Sequence, residues 1–179
     1  MRKQLRLSGS GGQGVITAAI IFAEAAVNEG KEAVQSQSYG PEARGGASKS
    51  EVIVDDVPIY HPHVGRPDLV LAMTQKAAEK YYGDLQEDGV LVLDEDLVPN
   101  PPQFPKIVNI PITRLAVEKI GKPLFANIVA LGALVRITGT VNFESIKKSV
   151  AGRVPPHTVD QNMKALQVGW DAAGEAMKN

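Results

Sequence analysis

Two stretches, DLVLAM at 68–73 and GVLVLD at 89–94, contain apolar runs at 69–73 and 90–93 in which no polar residue falls at every second position. A strand that alternates leaves one face in water, whereas one that does not must be covered on both. Parallel sheets meet that condition, because their crossover connections lay helices on each face. The two runs therefore restrict the chain to α/β: a single three-layer α/β/α sandwich with an open, mostly parallel Rossmann-like sheet. At 179 residues this is one domain, spanning 1–179.

The remaining pattern fits around that sheet. Leu5 and Leu7 alternate with Gln4, Arg6 and Ser8, a short strand that leads into a glycine-rich turn. From Val15 onward, Ile16, Ala19, Ile20, Ala23 and Val27 recur at three and four, and Gly30 stops the helix. Strands are expected over 32–38, 50–54 and 106–110, and a helix over 75–82. The proline-rich segment 99–105 (PNPPQFP) must be a loop. From Thr113 the chain reads as a helical C-terminal third, with helices near 113–120, 126–138, 143–150 and 158–177.

Composition removes several classes of function. With 19 basic and 20 acidic residues and no long run of either sign, the chain lacks the basic stripe of a nucleic-acid binder. It has no cysteine, which excludes disulfides, thiolate nucleophiles, zinc–thiolate sites and iron–sulfur clusters of its own. No apolar run approaches the roughly 20 residues of a membrane span, and none follows Met1-Arg2-Lys3 as a signal peptide would, so a cytoplasmic protein without a membrane partner is expected. No nucleophile–base pair stands out, and no catalytic residue is assigned. His61-Pro62-His63 offers two imidazoles without a third ligand beside them; it reads as a loop or interface contact, and no metal site is assigned.

The turn after the first strand carries Gly9-x-Gly11-x-x-Gly14. Strand, glycine turn and helix are the context of a dinucleotide fingerprint: the glycines let backbone N–H groups approach an anion, and the helix points its positive end at the same spot. The rest of that fingerprint is missing. An acidic residue should close the second strand to hold the ribose, but that strand ends in Gln35, Ser36, Gln37 and Ser38. Gln13 also places a polar amide where small apolar residues are common. The loop reads as an anion site without a complete nicotinamide site, the bland alternative being a tight strand-to-helix connection.

A second loop, Tyr39-Gly40-Pro41 to Gly45-Gly46 with Arg44 between, follows the next strand. Strand ends at the carboxyl edge of a parallel sheet converge on one crevice, so this loop and Gly9–Gly14 should face the same space. Arg44 is a permanent cation with a fork suited to phosphate. Alone it is equally well a solvated arginine on a glycine-rich turn; paired with the first loop, the functional reading is favoured. Asn127 opens an apolar helix, where an N-cap is the simpler reading, and Gly132 permits close approach of another backbone. Tyr81, Tyr82 and Trp170 read as packing or subunit-contact groups, and Asp94-Glu95-Asp96 as a solvated turn.

The sequence GSGGQGVITAAIIFAEAA (9–26), followed by QSYGPEARGGASKSEVIV (37–54), Pro58-Ile59, NIVALGAL (127–134) and the terminal pattern of Asn162, Ala165, Leu166, Gly169 and Trp170, resembles the gamma subunit of the 2-oxoacid:ferredoxin oxidoreductases. The resemblance covers essentially the whole chain. Ser8-Gly9-Ser10 and Gly40-Pro41-Glu42-Ala43-Arg44-Gly45-Gly46 are similar to the 2-oxoglutarate branch. It implies an enzyme that decarboxylates a 2-oxoacid on thiamine diphosphate, reduces ferredoxin through 4Fe–4S clusters and passes the acyl group to coenzyme A. Thiamine belongs to alpha and beta partner subunits, and the clusters to beta and delta. The gamma chain contributes to a shared coenzyme A site, which the resemblance and the two loops together assign to Gly9, Ser10, Gly11, Gly12, Gln13, Gly14, Tyr39, Gly40, Arg44, Gly45, Gly46 and Asn127. Readings from other classes are an NAD(P)-linked reductase and a stand-alone nucleotide-binding module.

Overall fold

The computed structural model describes residues 1–38 and 46–179. Six strands, β1 (Lys3–Gly9), β2 (Glu32–Gln37), β3 (Ser48–Asp55), β4 (Leu69–Ala72), β5 (Val90–Asp94) and β6 (Ile107–Ile110), form one sheet in the order β2-β3-β1-β4-β5-β6. β1, β4, β5 and β6 are parallel, and β3 runs antiparallel to both β1 and β2. The helices are α1 (Val15–Asn28), α2 (Gln75–Tyr81), α3 (Ile112–Leu115), α4 (Ala126–Thr138), α5 (Phe143–Arg153) and α6 (Val159–Ala176). A π-helical turn (Ala116–Ile120) extends α3, and a 3₁₀ turn (Pro123–Phe125) leads into α4.

The mostly parallel α/β sheet and the helical C-terminal third are as the sequence reading has them; the strand order is a finding of the structure. β3, rather than β2, lies beside β1. The stretch between Gln37 and Ser48 is shorter than the dozen or more residues that a helical crossover needs, so β3 returns antiparallel and inserts between its predecessors. Gly9 consequently pairs with Ser48, at the carboxyl edge of β1.

Both apolar runs are covered on two faces. Leu5, Leu7, Leu69, Leu71 and Val92 pack in one cluster with α1, α4, α5 and α6, while Val70, Ala72, Leu91 and Leu93 pack in another with Ala77, Ala78 and Tyr81 of α2 and with Leu85 and Val98. In the thicker layer α4 and α6 meet backbone to backbone. A Cβ on Gly132 would run into the carbonyl oxygen of Leu166, and one on Gly169 into that of Val129. The close approach read from Gly132 is therefore present, and Gly169 supplies its reciprocal half.

Two polar residues lie deeper than their patterns suggest. Asp94, read as part of a solvated turn, is fully buried. Its carboxylate accepts from the backbone N–H of Asp96 (3.1 Å), Leu97 (3.3 Å) and Thr113 (3.0 Å) and from the Thr113 hydroxyl (2.7 Å), tying the end of β5 to the start of α3. Arg6 is 5% exposed. It pairs with Glu51 (2.7 Å) and Asp84 and donates to the Tyr81 carbonyl (3.1 Å), where it caps the C-terminal end of α2. Burial works against its charge, but the carboxylates of Asp84 and Glu51 outweigh it and hold the guanidinium above its usual value. Tyr81 is buried, with its hydroxyl donating to the Ala47 carbonyl (3.2 Å), and Trp170 packs between Phe143 and Arg136. Among the described residues, no helix is long and apolar enough to cross a membrane.

Candidate functional site

The glycine loop follows β1 at the carboxyl edge of the sheet and opens α1 at Gly14. That residue stands in the left-handed region (φ 74°), where a side chain is strained, and turns the chain from extended to helical. The first turn of α1 has no side-chain cap and no acidic residue. Its leading N–H groups are free of helical partners by the geometry of any helix end, and no acidic side chain of that turn competes for them. Gly11 and Gly12 are exposed, and a Cβ at Gly12 would meet open space.

These groups border a cleft of about 400 Å³ lined by Gly11, Gly14, Val15, Ile16, Thr17, Ser38 and Ser48. Ser38 follows β2 and Ser48 opens β3, so the two stems of the second loop stand against the uncapped end of α1. The Ser48 hydroxyl donates to the Gly9 carbonyl (3.4 Å), and the Ser38 N–H to the Lys49 carbonyl (3.2 Å). No charged side chain is among these lining residues. The positive potential they offer comes from backbone N–H groups and the helix dipole. Tyr39, Gly40, Arg44 and Gly45 lie outside the described residues. Gly46 is partly exposed, two residues before β3.

Gln13 and Asn127 hold this loop rather than extend from it. The Gln13 side chain folds back, accepting from the Ser10 N–H (2.8 Å) and donating to the Met73 carbonyl (3.1 Å). Asn127 is not the N-cap of α4. The 3₁₀ turn brings the helix in earlier, Phe125 stands at the cap, and Asn127 falls inside the first turn. Its amide donates to the Gly14 carbonyl (3.3 Å), and its nitrogen would lie 2.6 Å from a Cβ on residue 14. The structure thus brings Gly9–Gly14 and Asn127 together and sets the stems of the second loop beside them. The parts played by Ser38 and Ser48 were missed from sequence, because the β1–β3 pairing that brings them here is a long-range event without a local signal. Among the described residues no three His, Cys, Asp or Glu side chains come together as a metal site. His61 lies on the exposed segment after β3, where its carbonyl accepts from Arg2 (2.7 Å).

Comparison with known proteins defines the class. Residues 4–172 match the family model described as pyruvate ferredoxin/flavodoxin oxidoreductase. The chain is 49% identical to the 2-oxoglutarate synthase subunit KorC of Methanocaldococcus jannaschii, over 98% of this chain and 96% of that one. The crystal structure of a keto/oxoacid ferredoxin oxidoreductase gamma subunit from Geobacter sulfurreducens superposes with a TM-score of 0.88 at 49% identity, covering 97% of this chain and 99% of that one. The fold also recurs, at 21% identity and a TM-score of 0.82, within the 2-oxoglutarate:ferredoxin oxidoreductase of Magnetococcus marinus, whose structure holds 2-oxoglutarate, coenzyme A and succinyl-CoA. There the match covers 97% of this chain and 31% of that one. The chain belongs to the pyruvate ferredoxin/flavodoxin oxidoreductase family. Within that family it is a gamma subunit of a 2-oxoacid:ferredoxin oxidoreductase, one component of a multi-subunit enzyme.

Proposed function

We propose that this gamma subunit serves a 2-oxoglutarate:ferredoxin oxidoreductase and supplies part of its coenzyme A site. The N–H groups at the start of α1 receive a phosphate from one side, and Arg44, with Tyr39, Gly40, Gly45 and Gly46 around it, receives it from the other. The observation that carries this reading is the position of Ser38 and Ser48: both ends of the Arg44 loop border the cleft into which the uncapped helix opens. Coenzyme A, with its pyrophosphate and 3′-phosphate, matches two anion-binding loops. It is also bound in the Magnetococcus enzyme that shares the fold. The choice of 2-oxoglutarate rests on the 49% identity to the 2-oxoglutarate synthase subunit.

On this reading the chemistry of decarboxylation and electron transfer belongs to the partners. Thiamine diphosphate lies on the alpha and beta subunits, the 4Fe–4S clusters on beta and delta, and ferredoxin accepts the electrons. This chain, without a cysteine, holds no cluster. Its own contribution is binding and assembly. A helix N-terminus supplies about 0.3–1 kcal/mol toward an anion, rising to about 2 when partly buried. A charge-assisted hydrogen bond from Arg44 adds about 1.5–3 kcal/mol. The sum, roughly 2–5 kcal/mol before the entropy of association is subtracted, leaves millimolar affinity or weaker, so the isolated chain binds coenzyme A poorly and its partners complete the site.

Co-expression with the alpha, beta and delta subunits, followed by reduction of a viologen dye, tests the proposal. The complex should turn over 2-oxoglutarate in preference to pyruvate. Arg44→Ala in this chain should raise the KM for coenzyme A by about 10- to 100-fold. A preference for pyruvate would remove the substrate assignment, and an unchanged KM would remove Arg44 from the site.

A further inference from the structure

We infer that Gln13 is a positioning and specificity residue: it plugs the crevice between β1 and β4 and thereby turns the glycine loop's anion-binding face toward β3. The inference rests on the reading of that loop as a coenzyme A phosphate site. In an open α/β sheet, ligands enter at the carboxyl edge where the chain leaves neighbouring strands in opposite directions. Here that point lies between β1 and β4. β1 feeds α1 on one face of the sheet, and β4 feeds α2 on the other.

The Gln13 amide spans this point. Its oxygen takes the N–H of Ser10, which follows β1, and its nitrogen donates to the carbonyl of Met73, which follows β4. The Gln13 N–H itself closes a turn on the Ser10 carbonyl (3.2 Å). A Cβ on Gly9 would meet the Gln13 side-chain oxygen and sit 3.3 Å from Met73 Cβ, so a side chain there would displace the Gln13 amide from this position. An anion entering on the β4 side would find the Ser10 N–H already committed to the Gln13 oxygen and the Met73 carbonyl already holding the Gln13 amide. On the β3 side the first turn of α1 remains uncapped above Ser48. The amide thus stands where the pyrophosphate of a dinucleotide usually lies and directs a phosphate to the β3 side of the loop.

Gln13→Ala removes the plug and its bonds. Gln13→Met keeps most of the volume and removes the bonds alone. In the assembled oxidoreductase both variants should raise the KM for coenzyme A by about ten-fold, with kcat at saturating coenzyme A within about two-fold. Hydrogen exchange of the 7–15 peptide in the same complex should quicken, because Ser10 loses its acceptor. Wild-type exchange in both variants would overturn the bracket itself. Faster exchange with an unmoved KM would overturn the coenzyme A reading beneath it. A fall in kcat with KM unchanged would replace positioning by a role in turnover.

Discussion

At Gly14 two requirements meet in one residue. Its φ of 74° disfavours any side chain, and the Asn127 amide fills the space a Cβ would need. Gly14→Ala should therefore lower stability by at least about 1–2 kcal/mol, measured as a drop in urea midpoint at constant slope. Part of that loss should return in an Asn127→Ala background, where the collision is relieved while the backbone strain stays; strictly additive losses would separate the two residues. Asp94→Ala should cost about 2–4 kcal/mol, since it strips the acceptor from three backbone N–H groups and a hydroxyl, whereas Asp94→Asn should cost less. These residues mark how far single positions can be read from sequence. The glycines and the oddness of Gln13 are local signals and were visible. The brace from Asn127 to Gly14 joins positions 113 apart, and the buried role of Asp94 depends on Thr113 arriving from another element, so neither leaves a mark in its own neighbourhood.

Between elements, the tightest fit is α4 against α6, where Gly132 and Gly169 bring each helix onto the other's carbonyls. Gly132→Ala or Gly169→Ala forces the helices apart and should cost about 1–3 kcal/mol or more, against the roughly 0.5–1 kcal/mol usually gained by replacing a helical glycine. A thermal-unfolding series including the exposed Gly152 of α5, whose Cβ would meet nothing, provides the contrast: Gly152→Ala should raise the midpoint. The type and order of the elements were legible because apolar periodicity is local. Strand order was not. The insertion of β3 is decided by pairing between β1 and a segment some 45 residues away, and the alternation in β1 conceals that Arg6 is buried by Glu51 and Asp84 from β3 and the turn after α2.

For the molecule as a whole, acid should loosen the helical layer at a defined place. Glu29 ends α1 and holds the start of α5. Burial raises its pKa, but the Asn142 N–H (2.8 Å), the Lys31 ammonium (3.0 Å) and Ser145 outweigh burial and hold it below the usual carboxylate value. A depressed folded-state pKa contributes stability that is fully present above the unfolded value, about 4.3, and is lost as pH falls through the lower folded value. Glu29→Gln should flatten the dependence of urea stability on pH below about 4.5 and leave the slope near neutrality unchanged; an unaltered acid slope would contradict it. The central claim, that two loops of this chain close on one phosphate-bearing ligand, is tested most directly by labelling the assembled oxidoreductase with a photoreactive coenzyme A analogue and mapping the modified peptides. The account predicts label on this chain within 9–17 and 38–48, displaced by excess coenzyme A. Displaceable label confined to the partner subunits would contradict it.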